Sequence, residues 1–139
     1  HMLVGAGANV NATTDEGETP LQKSACNGLV EVSQMLIEAG AHVDATTDDE
    51  TRTTPLHWSA YNGFVEVSQM LVGAGASVHA TNKKGYTPLH YSAVYAHMKV
   101  SQMLVGAGAD VNATTTSGNT PLLVSAMNGH VEVSQMLVG

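Results

Sequence analysis

The tripeptide Thr-Pro-Leu occurs four times in this chain at nearly constant intervals. Its threonines are 35, 33 and 33 residues apart, and they are Thr19, Thr54, Thr87 and Thr120. A second phrase, Val-Glu-Val-Ser-Gln-Met-Leu or a close variant, recurs in the same phase. A period of about 20–50 residues is typical of one small structural unit stacked on copies of itself. The spacing therefore predicts a solenoid, in which each unit buries its apolar face against its neighbours.

Within one unit, residues 81–113, the sequence predicts two helices. Thr87 has a hydroxyl that can accept a hydrogen bond from a free backbone N–H at the start of a helix. Pro88 suits the first helical position, where its missing N–H breaks no hydrogen bond. We expect the first helix to run from about Pro88 to Tyr95 and the second from about Met98 to Gly106. The polar stretch between units predicts an extended arm with a turn at its tip.

Two places depart from the regular pattern. The turn between the helices needs a left-handed residue, which three units supply with Gly28, Gly63 and Gly129. The remaining unit has Ala96 there, so we expect a strained turn. The loop 46–53 is two residues longer than the others and carries Arg52 where they carry glycine. We expect its tip to differ in shape and to be more mobile.

These motifs identify a family resemblance. Residues 85–93 read Gly-Tyr-Thr-Pro-Leu-His-Tyr-Ser-Ala, and residues 108–112 read Gly-Ala-Asp-Val-Asn. The chain resembles the ankyrin repeat, whose pattern is Gly-x-Thr-Pro-Leu-His-x-Ala followed by Gly-Ala-x-Val-Asn. The resemblance implies an all-α solenoid of helix-turn-helix units with protruding β-hairpin-like loops. We expect a single domain over 1–139, with a partial repeat (1–12), full repeats (13–47, 48–80 and 81–113) and a truncated repeat (114–139).

Composition restricts the classes of function. Residues 1–70 carry ten acidic and two basic side chains, whereas residues 71–139 carry two and three. An acidic surface repels a phosphate backbone, so we expect no nucleic-acid partner. No apolar run approaches the roughly 18 residues of a membrane helix, so membrane insertion is not expected. The single cysteine, Cys26, favours a reducing, cytoplasmic location.

The sequence does not favour an enzyme, a metal site or a cofactor. His57 and His90 hold the same place in successive repeats, and packed helices are about 8–10 Å apart. Zinc needs its nitrogen ligands within about 2.1 Å of one point, so a shared metal is not expected. The resemblance implies instead that these histidines form hydrogen bonds between repeats. The serines also recur in register, which is typical of packing rather than of a nucleophile.

The aromatic residues indicate a binding surface. All six lie between positions 58 and 95, and pairs three or four residues apart share a helix face. The resemblance implies that first helices and loop tips line a concave groove, and clustered Trp and Tyr favour binding hot spots. We expect Phe64 to be a packing residue. For Trp58 and Tyr91, packing between stacked first helices is the alternative interpretation. The predicted partner-binding residues are Trp58, Tyr61, Asn62, Tyr86, Tyr91, Tyr95, Asp48, Asp49, Glu50, Lys83 and Lys84.

The predicted function is non-catalytic binding of a protein partner, through the groove and the loop tips. The charges predict a partner that presents a basic or apolar surface to the N-terminal half. Two alternatives remain open, a structural spacer in a much larger ankyrin array and an engineered binding scaffold. The segment Met2–Gly5 also repeats Met136–Gly139. Because neither end has a polar capping unit, head-to-tail stacking of the chain on itself is a further expectation.

Overall fold

A computed structural model describes residues 6–47 and 51–139 of the chain. Those residues form eight α-helices and contain no β-strand. The helices are α1 (Pro20–Cys26), α2 (Val30–Glu38), α3 (Pro55–Asn62), α4 (Val65–Gly73), α5 (Pro88–Val94), α6 (Met98–Gly106), α7 (Pro121–Met127) and α8 (Val131–Val138). The prediction of an all-α solenoid is confirmed. The second helix of the unit 81–113 has the predicted bounds, and its first helix ends one residue before Tyr95.

Each odd-numbered helix begins at the repeated Thr-Pro-Leu motif. The four threonines are the N-cap residues, and each hydroxyl accepts a hydrogen bond from the backbone N–H of the third residue after it. In α3 and α5 the third residue after the cap is a histidine, whose ring also accepts from the N–H of the threonine. This reciprocal arrangement satisfies two backbone donors at once. The predicted role of Thr87 is therefore confirmed.

The helices pack as antiparallel pairs that stack along the array. Each odd-numbered helix contacts the even-numbered helix that follows it, and each also contacts the corresponding helix of the next repeat. The leucines of the first three motifs, Leu21, Leu56 and Leu89, are fully buried in the resulting core, whereas Leu122 of the fourth is half-buried. Val67 and Val100 of the second helices close the same core. The main core extends from Leu21 to Ala109, and a second, smaller cluster of Ala93, Val124 and Val133 joins the last repeat to the one before it, as repeat stacking requires.

Paired serines join the two helices inside every repeat. Their hydroxyl oxygens are 2.7–2.8 Å apart in the pairs Ser24–Ser33, Ser59–Ser68, Ser92–Ser101 and Ser125–Ser134. The serine of the first helix also donates to a carbonyl three residues earlier. Small side chains let the helices approach closely, and the hydroxyls satisfy each other at positions that are buried except at Ser134.

Left-handed residues make the turns, including two that are not glycine. Gly28, Gly63 and Gly129 have φ of 68°, 75° and 73°, as the sequence predicts. Ala96 has φ of 60° in the equivalent turn, which confirms the predicted strain there. Arg52 has φ of 52°, where other loops have glycine. The rest of the predicted unusual loop tip, residues 48–50, lies outside the described residues.

Candidate protein-binding surface

Buried histidines join each central repeat to the next one. The His57 Nε2–H donates to the carbonyl oxygen of Tyr86 at 2.8 Å, while Nδ1 accepts from the Thr54 N–H at 3.2 Å. A carbonyl can only accept and a backbone N–H can only donate, so His57 is neutral with its proton on Nε2. His90 makes the same bonds with Thr87 and with the carbonyl of Asn119. The predicted hydrogen bonds between repeats are confirmed.

Burial sets the protonation state of both histidines. Desolvation lowers the pKa of His57 below its ordinary value, against smaller opposing effects from the carbonyls of Tyr86 and Ala80. Desolvation likewise lowers the pKa of His90. Both rings therefore stay neutral at neutral pH and act as structural links, which removes them as acid–base groups of the surface.

Gln22 replaces the histidine in the first full repeat and reproduces its link. The Gln22 Nε2 donates to the carbonyl of Ala45 at 2.5 Å and to that of Thr53 at 2.9 Å. Its Oε1, which no histidine would have, is buried and has no hydrogen-bond partner among residues 6–47 and 51–139. The sequence pattern alone did not indicate this role for Gln22. The signal that could have found its role is its amide N–H, the same kind of donor as a ring N–H.

Five aromatic side chains form one connected group, which we call the aromatic cluster. Tyr61 is at its centre, with ring centroids 6.2 Å from Trp58, 5.6 Å from Tyr91 and 4.6 Å from Tyr95. Tyr86 joins through Tyr91, at 5.1 Å. All four pairs are tilted or edge-on, and none is a face-to-face sandwich, which aromatic rings disfavour. The structure thus brings together the five predicted aromatic residues from α3, α5, the end of α5 and the loop before it.

Exposure divides the cluster into a supporting part and an accessible part. Tyr61 is 38% exposed and Tyr95 45%, whereas Trp58, Tyr86 and Tyr91 are half-buried. The Tyr91 hydroxyl accepts a hydrogen bond from Asn82 Nδ2 at 2.6 Å, and burial raises the pKa of Tyr91. Asn82 is therefore a residue that positions the cluster, and sequence analysis did not identify it. Phe64 packs against the core, as predicted.

Tyr95 occupies a position that serves another purpose in the other repeats. The equivalent residues are asparagines, whose side-chain amides donate to a carbonyl four residues earlier in their own helix: Asn27, Asn62 and Asn128. Tyr95 cannot make that bond and lies against Tyr61 of the preceding repeat instead. Hydrogen bonding to Tyr61 is the main cause that raises the pKa of Tyr95 to about 12. A local capping bond has been exchanged for an exposed aromatic pair.

The predicted polar site residues have differing roles in the structure. Asn62 is half-buried, and its amide donates to the carbonyls of Trp58 and Cys26, so its hydrogens are used within the protein. Lys83 and Lys84 are exposed at a loop tip whose backbone bonds to both neighbouring loops, at Thr51 and Thr116. Asp48, Asp49 and Glu50 lie outside the described residues.

A pocket opens beside the aromatic cluster, between α3 and α5. Its volume is about 250 Å³. The residues that line it are Thr51, Thr53, His57, Trp58, Tyr61 and Tyr91. Three of these belong to α3, and the two threonines come from the loop before it. The exposed sides of the odd-numbered helices and the adjoining loop tips, which we call the first-helix face, therefore contain both the cluster and a concave site next to it.

Comparison with known families agrees with this architecture. The family described as ankyrin repeats (3 copies) matches residues 1–82 and 69–139. The chain belongs to the ankyrin repeat family. A comparison with curated protein sequences gives no match. Ankyrin repeats are generally protein–protein interaction modules and are typically non-catalytic.

Among residues 6–47 and 51–139, no three His, Cys, Asp or Glu side chains are grouped so that they could hold a metal ion. No helix in the same ranges has the length and apolar character needed to cross a membrane.

Proposed function

We propose that the chain is a non-catalytic module that binds a partner protein at the first-helix face, which the family uses as a concave groove. The observation that supports this proposal most strongly is the pair Tyr61–Tyr95. Both rings are accessible, and the second occupies a position where the other repeats have a helix-capping asparagine. Exposed aromatic side chains held by their neighbours are what binding hot spots favour.

The charges of the first two loop tips support a prediction about the partner's surface. Asp15 and Glu16 are exposed at the first loop tip, and the sequence adds Asp48, Asp49 and Glu50 in the next. We propose that the partner presents a basic or apolar surface to this half and reaches the cluster at Trp58. An intracellular location fits the one free cysteine, Cys26.

The test uses the double variant Y61A/Y95A in the full chain. Proteins captured from the source cells by the wild-type chain are quantified by mass spectrometry, and dissociation constants are measured for those recovered. We expect binding of the true partner to weaken at least tenfold, the effect of losing a hot spot. The variant M35A is the control, because Met35 is an exposed apolar residue of α2 and lies outside the first-helix face. Equal binding by wild type and double variant would refute the proposal.

Self-association is a separate part of the proposal. Met127, Val131 and Val138 are 64–72% exposed on α7 and α8, next to a cavity of about 440 Å³ that Gly129 and His130 help to line. A second copy of the chain could stack there as α7 and α8 stack on α5 and α6. Sedimentation velocity at rising concentration tests this, with V131E as the disrupting variant. A mass that stays monomeric at millimolar concentration would contradict it. The segment Met2–Gly5 lies outside the described residues.

A further inference from the structure

The main chain of Tyr61, at the centre of the aromatic cluster, is held by a side chain from the next repeat. Tyr61 lies in the last turn of α3, where backbone carbonyls have no donor in their own helix. Its carbonyl oxygen accepts a hydrogen bond of 2.9 Å from the Nε2–H of His97. His97 lies in the turn between α5 and α6, immediately before Met98. Because helix ends fray when nothing holds them, this bond fixes the residue whose ring meets three others.

The same imidazole lies beside Tyr95. The centroids of the two rings are 6.3 Å apart, and their planes are inclined by 33°. The main chain of His97 is itself fixed, since its N–H donates to the carbonyl of Ser92 at 2.8 Å and its carbonyl accepts from the N–H of Ser101 at 2.9 Å. The ring is half-buried and packs against Gly63, where an added Cβ would lie 2.5 Å from Nδ1. One ordered side chain thus adjoins both members of the accessible aromatic pair.

The preceding repeat makes the equivalent bond with a different residue. There Asn62 donates to the carbonyl of Cys26 at 3.3 Å, and Cys26 holds the place that Tyr61 holds one repeat later. Phe64 is the equivalent of His97, and its side chain has no donor. The donor has therefore moved, from the position of Asn62 in one repeat to the position of His97 in the next.

This change of donor explains how the repeat accommodates Tyr95. Tyr95 stands at the position of Asn62 and has no amide that could donate to the carbonyl of Tyr61. Because His97 supplies that donor, the end of α3 stays bonded while Tyr95 places its ring against Tyr61. Tyr95 and His97 therefore work as a pair, in which the histidine holds the backbone that the tyrosine leaves without a donor.

A second histidine makes the same link away from the aromatic cluster. His130 is the equivalent of His97 in the last repeat and is also half-buried. Its Nε2–H donates to the carbonyl of Val94 at 2.7 Å, and Val94 is the equivalent of Tyr61. This repeat has Asn128 where the exposed tyrosine would stand. At His130 the link joins two repeats, whereas at His97 it also supports two exposed rings.

We propose that His97 positions the partner-binding surface: by holding the carbonyl of Tyr61 and flanking the ring of Tyr95, it keeps the two accessible rings in the arrangement that the partner binds. This inference rests on the proposed function and adds to it a residue that acts through the two tyrosines rather than by touching the partner. Rings that are already ordered lose less conformational entropy when the partner binds, so the effect of His97 appears as affinity.

The test uses two readouts, one of which needs no partner. Trp58 is the only tryptophan, and its ring centroid is 6.2 Å from that of Tyr61, so its emission in the free chain reports displacement of Tyr61. The second readout is the dissociation constant of short peptides selected by phage display on the full chain, from which peptides that still bind Y61A/Y95A are discarded. The variants are H97A, the conservative H97Q and the matched control H130A. All are measured in dilute solution, so that copies of the chain do not stack on α7 and α8.

We expect H97A to shift the emission of Trp58 to longer wavelength and to weaken peptide binding about three- to tenfold, the cost of ordering one side chain again. The variant H97Q should recover most of both, because a glutamine amide already replaces a histidine ring in this chain, at Gln22. The control H130A should lower the midpoint of urea unfolding about as much as H97A does, but leave the emission and the peptide affinity near their wild-type values.

Peptides that require Tyr61 and Tyr95 but bind H97A as tightly as the wild type would overturn this inference and leave the proposed function intact. An unchanged Trp58 emission in H97A would do the same. Equal losses of affinity in H97A and H130A would also overturn it, since His97 would then be a structural link like His130. If no selected peptide depends on the two tyrosines, the proposed function fails and this inference fails with it.

Discussion

The ring of Tyr95 lies 4.6 Å from the ring of Tyr61, although the two residues occupy different positions in their repeats. Tyr61 corresponds to Cys26, Val94 and Met127, while Tyr95 corresponds to asparagines at the ends of the other first helices. The pair therefore joins α3 to the end of α5 by a contact that repetition alone would not produce. Regular positions build the scaffold, and this irregular pair provides the accessible aromatic surface.

The variant Y95N separates binding from stability. The asparagine should restore the capping bond seen at Asn62, worth about 1 kcal/mol, and remove an aromatic pair of about 0.5–1.5 kcal/mol. We therefore expect the free energy of unfolding to change by less than about 1 kcal/mol, while partner binding falls at least tenfold. Urea denaturation followed by circular dichroism measures the first quantity. Strong destabilisation would mean that Tyr95 is a structural residue.

The variant A96G should stabilise the protein. Ala96 has φ of 60°, a conformation that disfavours side chains by roughly 1–2 kcal/mol and that glycine adopts freely. We expect the free energy of unfolding to rise by about 1 kcal/mol. The matched control is G129A, which introduces the same strain where an added methyl group meets nothing within 4 Å. It should lower the free energy of unfolding by a similar amount.

Replacement of Gly63 by alanine should be more harmful than G129A. An added Cβ at Gly63 would lie 2.5 Å from Nδ1 of His97, whose ring is held by a hydrogen bond from Nε2 to the Tyr61 carbonyl. The ring would have to leave that bond, adding about 1 kcal/mol to the backbone strain. Thermal denaturation of G63A, H97A and G63A/H97A checks this. The loss of thermal stability in the double variant should be smaller than the sum of the losses in the two single variants. Strictly additive losses would exclude the clash.

Stability should fall as pH drops below about 6.5 because of His57 and His90. Burial lowers the pKa of both in the folded protein, so below their ordinary value the unfolded chain binds protons that the folded chain does not. Their contribution is complete above pH 6.5 and is lost as pH falls towards the folded values. The variant H57Q/H90Q should have a flatter dependence between pH 7 and pH 5, because Gln22 makes the same link without titrating. Parallel curves of the free energy of unfolding against pH for the wild type and the variant would contradict this.

The serine pairs should behave as coupled units. Ser59 and Ser68 are fully buried and 2.8 Å apart. Removing one hydroxyl leaves the other without this partner in a dry site, so we expect S59A and S68A each to lower the free energy of unfolding by about 1–3 kcal/mol. The double variant S59A/S68A should lower the free energy of unfolding by clearly less than the sum of the two single effects. Ser134, which pairs with Ser125, is half-buried, so S134A should lower the free energy of unfolding by less.

The elements that repeat were predictable from sequence because each rests on local chemistry. The caps at Thr87 and its equivalents, the left-handed glycines and the bounds of α6 all follow from rules that act within a few residues. The strain at Ala96 was predictable for the same reason. Each required only the comparison of one repeat with another.

The side-chain contacts that form the aromatic cluster and the Gln22 link were not predictable in this way. The pair Tyr61–Tyr95 joins positions that are not equivalent, and a period cannot show which side chains of neighbouring repeats meet. The link made by Gln22 was not predicted because glutamine is a different residue type from the histidine of the other repeats. Its side chain nevertheless offers an N–H donor at the same position, to the carbonyls of Ala45 and Thr53. The role of Asn82 depends on the position of Tyr91, which only the stacked helices fix.

The buried links between repeats give the array a direction. Gln22, His57 and His90 each donate to a carbonyl in the repeat that follows, at Thr53, Tyr86 and Asn119. A repeat without its successor thus lacks this acceptor for its buried donor, whereas the successor alone lacks only a donor for one carbonyl. A ribosome releases the repeats in this same order, so each newly emerged loop completes the repeat before it. The growing chain then carries one unfinished repeat, always the one nearest the exit tunnel.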